Sequence, residues 1–96
     1  MNEIKLFPSV GSFAENKDIA RSIRLKKIIP ALEKKEDVIL DFQGIDSATQ
    51  SFIHALISDL IRKFGNEILD RIYFKNCSET VKKIINIVVE YMQETD

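Results

Sequence analysis

The stretch VILDFQGIDSATQSFIHAL, residues 38–56, changes its periodicity halfway along. Residues 38–42 are nearly continuous in apolar character and rich in β-formers, the pattern of a central strand covered on both faces. Gln43 and Gly44 end that pairing. From about Thr49 onward Phe52, Leu56, Leu60 and Phe64 recur at intervals of four, flanked by Ile53, Ile57 and Ile61. That is the one-sided stripe of an amphipathic helix. A strand passed through a short polar link into such a helix is the repeating step of an α/β fold.

Working outward, Ile4, Leu6 and Phe7 predict a short first strand, stopped by Pro8. Over residues 17–35, Ile19, Ala20, Ile23, Ile28, Ala31 and Leu32 fall mainly on one side of a first helix. Pro30 inside it lacks a donor and crowds the carbonyl of Lys26, which predicts a kink or break over 26–30. Gly65 and Asn66 stop the second helix, and RIYFK, residues 71–75, reads as a further strand. Ser78 suits the cap of a last helix whose apolar face is Val81, Ile84, Ile85, Val88, Val89 and Met92. The expectation is one α/β domain over 1–96, with an N-terminal strand region 1–14 and a core 17–92. It comprises a parallel or mixed sheet of about three to four strands, joined by right-handed crossovers and packed with three main helices.

Composition sets limits on function. The 96 residues are 45% hydrophobic and 30% charged, as in an ordinary globular domain. Fourteen basic against fifteen acidic side chains leave a formal charge of −1, which argues against a nucleic-acid or acidic-membrane surface. Lys17, Arg21, Arg24, Lys26 and Lys27 concentrate on the first helix without interleaved aromatics and read as a solvated face. The lone Cys77 allows no internal disulfide and reads as a small packing residue in a reducing, cytosolic compartment. No apolar run approaches the roughly 20 residues of a membrane span, and the first five residues are too polar for a signal peptide.

Catalytic machinery is not evident. The three glycines, Gly11, Gly44 and Gly65, form no phosphate-binding loop, and a single histidine makes no metal centre. His54, Ser51 and Ser58 share one outward stripe of the second helix, with no third group to orient a nucleophile and base. The expectation is a protein without enzymatic activity, cofactor or metal.

The polar junction, residues 46–51, holds most of the interest. Asp41 is placed to satisfy backbone donors at the strand end. Ser47 and Gln50 fit a capping box, or Thr49 caps instead. Capping accounts for one or two polar residues, at about 1 kcal/mol each, and not for the whole run. The excess points to a binding or modification surface. A helix start also favours negative charge, so a phosphate on a hydroxyl there is electrostatically accommodated.

VILDFQGID, then QSFIHALISDLIRKFG, then IYFKNCSETVKKII, resembles the STAS domains of sulphate transporters and anti-sigma factor antagonists, over roughly residues 17–92. IRLKKIIPALEKKEDVILDFQGI with the Ser51-Phe52 pair resembles more closely the small bacterial STAS-like domains whose function is not established. The resemblance implies that the junction at 44–52 faces a protein partner. In the antagonists a serine there is phosphorylated by a kinase related to the histidine-kinase ATPases. Aligned without gaps from Gly44, the Asp-Ser-Ser/Thr-Gly positions of the family fall on Thr49, Gln50, Ser51 and Phe52. Gln50 then stands at the acceptor position, leaving Thr49, Ser51 and Ser47 as candidate phosphorylation sites, while Phe52 reads as core.

The expected function is a regulatory protein-interaction module. It would present Asp46, Ser47, Thr49, Gln50 and Ser51, with His54 and Ser58 on the outer stripe, to a histidine-kinase-type ATPase or a transcription regulator. The alternative is a small anion- or nucleotide-binding domain, or a hydrolase, using the amino terminus of the second helix. A homodimer through an exposed sheet edge is a third expectation.

Overall fold

The computed structural model describes residues 2–94; the expected domain also takes in Met1, Thr95 and Asp96, which lie outside the described residues. In chain order the elements are β1 (Asn2–Lys5), α1 (Phe7–Val10), β2 (Phe13–Ala14), α2 (Lys17–Ile23), a π-helical turn (Arg24–Ile28) and α3 (Ile29–Glu33). There follow β3 (Val38–Asp41), β4 (Ser47–Ala48), α4 (Gln50–Phe64), a 3₁₀ segment (Asn66–Arg71), β5 (Ile72–Lys75) and α5 (Glu79–Glu94). The main sheet has the order β1-β3-β5 with every pairing parallel, and β2 and β4 form a second, two-stranded parallel ladder. The chain is therefore the expected α/β domain, with a strictly parallel sheet.

Strand order explains where the core lies. Both crossovers move the chain one place in the same direction, and right-handed connections of that kind put their helices on one face of the sheet. Exposure alternates to match: Ile4, Val38, Leu40 and Ile72 are buried, whereas Glu3, Lys5, Tyr73 and Lys75 are exposed. Ile39 is half-buried between them, so the central strand is fully covered on one face only, not on both. An ion pair of 3.4 Å between Lys75 Nζ and Glu3 Oε2 spans the outer strands on the open face.

The first helix is legible residue by residue. Asn16 Oδ1 accepts from the Asp18 and Ile19 amides at 2.9 and 3.3 Å, which fixes the start of α2. The anticipated disturbance before Pro30 is a π-helical turn, in which the Ile29 amide donates to Arg24 O, five residues back. The helix ends with Lys35 at φ +67 while the Lys35 and Glu36 amides donate to Leu32 O and Ala31 O, a Schellman motif built without glycine.

One correction concerns the basic run. Arg24 is buried; its Nη1 donates to Ala55 O, and its Nη2 lies 3.2 Å from Asp59 Oδ2. α2 and α4 pack against each other, and the long side chain at 24 is trapped between them rather than solvated. Among the described residues, no helix is long and apolar enough to cross a membrane.

Candidate functional site

Asp41 opens the junction. Its carboxylate accepts from Asn76 Nδ2 at 3.0 Å and from the Gln43 amide at 2.9 Å. The Asn76 bond first, then the Gln43 amide, with Lys75 nearby, hold its carboxyl below the ordinary 3.8 against the opposing effect of desolvation. A turn follows, closed by the Ile45 amide on Phe42 O, with Gly44 at φ +91. Ile45 then points inward and is buried.

Beyond Ile45 the link is clamped on two sides. The Asp46 amide donates to Ser12 O and the Thr49 amide to Ala14 O, at 2.8 and 2.9 Å, while Ser47 and Ala48 pair with Phe13 and Ala14. Ser78 Oγ donates to Asp46 O at 2.8 Å and accepts from the Val81 amide at 3.1 Å. One hydroxyl thus caps α5 as expected and fastens it to the junction.

Thr49, not Ser47, caps α4: its Oγ1 accepts from the Phe52 amide at 3.1 Å. The capping box at Ser47 and Gln50 fails because Ser47 and Ala48 are extended in the β2–β4 ladder, so the helix cannot begin there. Ser47 and Thr49 are half-buried, and Asp46, Gln50 and Ser51 are exposed. Within the link only Ile45 and Ala48 are buried, so its other side chains are wholly or partly displayed to solvent.

Gln50, Ser51 and His54 line one side of an open groove of about 480 Å³, with Ala55 at its base and Lys17, Val88 and Tyr91 completing it. His54 is half-buried. Ser58 does not belong to this surface: it is 2% exposed. α4 packs between α2 and α5, and one turn beyond His54 the stripe has passed under its neighbours. Lys17 and Tyr91 were not anticipated as members. The signal for Tyr91 is available in the sequence, since Ile87 and Tyr91 lie four apart and off the apolar face of α5, and both are exposed.

Cys77 is half-buried at the end of β5, and desolvation pushes its thiol up, as for a packing residue rather than a reactive one. Among the described residues, no group of three or more His, Cys, Asp or Glu side chains is placed to hold a metal ion.

No curated protein and no solved structure matches the chain. The family model for a STAS-like domain of unknown function matches residues 20–82, from within α2 to the first turn of α5, and therefore covers the link from β3 into α4. The strictly parallel sheet, the link from β3 into α4 and this match together place the chain in the family of STAS-like domains.

Proposed function

We propose that this protein is a non-enzymatic signalling module of the cytosol, which docks a protein partner on the start of α4 and the adjoining outer face of α5. The observation that carries the reading is the shared groove, where exposed Gln50 and Ser51 meet His54, Lys17 and the exposed ring of Tyr91. A rigidly clamped polar helix start beside an exposed aromatic is the make-up of an interaction patch, polar for register and aromatic for affinity. The STAS-like resemblance supports a histidine-kinase-type ATPase as the partner class, with a transcription regulator second. In an affinity purification from native cells, the Gln50→Ala, Ser51→Ala double variant should lose a partner that the unaltered protein retains. Equal recovery by both proteins overturns the reading.

Phosphorylation control is a further part of this proposal. Of the candidate hydroxyls, Thr49 is occupied as the α4 cap and Ser47 is half-buried in the ladder, while Ser51 is exposed in the first turn. A phosphate on Ser51 would gain from the helix start and from Lys17 across the groove. Mass spectrometry of protein from its native cells should find the modification on Ser51; an unmodified 47–51 segment under every growth condition removes this part.

Lys17 also gives the anion-binding alternative a cation that the sequence alone did not place beside α4. Thermal-shift measurements with nucleotides and inorganic phosphate separate the two readings, because only an anion site is stabilised by them.

A further inference from the structure

The basic run of the first helix divides in three dimensions. Arg24 is buried and Lys17 lines the groove beside α4, while Lys26 and Lys27 face the other way. There they join Lys34 of the helix end and Lys5 of β1 around a groove of about 710 Å³ that runs along the free edge of the main sheet. All four lysines are exposed, and among the described residues none of them is in an ion pair. The acids of the groove are Glu3 and Glu36, and the carboxylate of Glu3 is already held by Lys75. The local field is therefore positive, although the whole chain carries −1.

The wall of this groove is an open β-edge. The Asn2 and Leu6 amides donate to Asp37 O and Asp41 O of the neighbouring strand. In a parallel pair the bonded residues alternate, so Asn2, Ile4 and Leu6 face β3 while the amides and carbonyls of Glu3 and Lys5 point away from it. These groups have no partner among the described residues. We infer that β1 and the lysines beside it form a docking site for an extended acidic segment of a protein partner, added to the sheet as a fourth strand. Main-chain bonds to Glu3 and Lys5 would supply the pairing, and Lys5, Lys26, Lys27 and Lys34 would select carboxylates. Charge decides the occupant. A second copy of this chain would bring the same lysines to the same edge, and like charges there oppose pairing.

The test uses a fluorescent peptide of alternating glutamate and valine, long enough to span β1, and reads fluorescence anisotropy. The peptide should bind, and added salt should weaken it. Lys26→Glu with Lys27→Glu, both exposed positions, should reduce affinity by about tenfold or more, as loss of charge complementarity predicts. N-methylation of alternate peptide amides should abolish binding, and so should Lys5→Pro, which removes an outward donor while sparing the ladder to β3. The N-methylated peptide reports on the backbone bonds whether or not that variant folds. The inference is overturned if the glutamine–valine peptide, the N-methylated peptide or an oligothymidylate of equal charge binds as tightly as the acidic peptide. The Gln50→Ala, Ser51→Ala protein should bind the peptide normally, which keeps this site distinct from the one at α4.

Discussion

Gly44 is held by two independent constraints. Its φ of +91 lies where side chains are strained, and a Cβ there would come within 2.7 Å of Phe7 Cδ1. Gly44→Ala should therefore destabilise the protein by about 1–3 kcal/mol. Truncating Phe7 takes that contact away, so the same change in a Phe7→Ala background should cost less, the remainder measuring backbone strain alone. Urea unfolding of the double-mutant cycle checks this; equal costs in both backgrounds would remove the ring from the explanation. Asp41 gives a second prediction. Its folded-state pKa is depressed, so its contribution to stability is present above the ordinary value of about 3.8 and is lost as pH falls through the lower folded value. The stability gap between the native protein and Asp41→Asn should be constant near neutrality and close only below that ordinary value, as followed by urea midpoints against pH. Phe52 and Ser78 were legible in the sequence because core stripe and helix cap depend on near neighbours along the chain, and so was the bond from the Gln43 amide to Asp41, but not the larger one from Asn76, which lies 35 residues on. Ser58 and Arg24 were not, since their burial is decided by which helix lies opposite.

Among the elements, α4 was anticipated to within a residue, because its apolar stripe is long and Gly65 ends it cleanly at φ +87. The β2–β4 ladder was not anticipated. Two-residue strands have no measurable period, and their partner lies more than thirty residues away in the chain. That ladder decides the cap. Thr49→Ala should lower stability by about 1 kcal/mol through loss of the bond to the Phe52 amide, whereas Ser47→Ala should not expose that amide. Thermal melting of the two variants compares them, and an equal loss would return the cap to Ser47. The π-helical turn belongs to the same scale, and it opens at Arg24, whose guanidinium reaches Ala55 O and Asp59. Buried Arg24 Nε has no partner, so part of the guanidinium is desolvated without return. Arg24→Ala should cost about 2 kcal/mol, shared between the lost bond to the carbonyl and the lost packing of the buried stem, with little from Asp59, which is 47% exposed and whose attraction is screened. Arg24→Met, which keeps the buried stem, should cost less than the alanine. A methionine as damaging as the alanine would show that the charge, not the packing, holds the helices together.

For the molecule as a whole, the parallel α/β class followed from alternating strand and helix patterns, but the one-sided helix layer did not, because residues 38–42 are apolar enough to suit a strand covered twice. The residues matched by the family model, 20–82, are not the folding unit that the core defines. Ile4, Leu6 and Ala14 are buried before them, and Ile85, Val88 and Met92 after them. Each large buried apolar side chain contributes about 1.5–3 kcal/mol, so losing five of them removes most or all of an ordinary domain's net stability of about 5–15 kcal/mol. A fragment of residues 20–82 should show no cooperative transition in calorimetry, while the full chain melts in one step; a sharp transition in the fragment would refute this. The sequential order β1-β3-β5 has a consequence for synthesis. Every strand of the main sheet needs only the strand made before it, so a chain leaving the ribosome can lay the sheet down in the order of translation, with α5 closing the hydrophobic layer last.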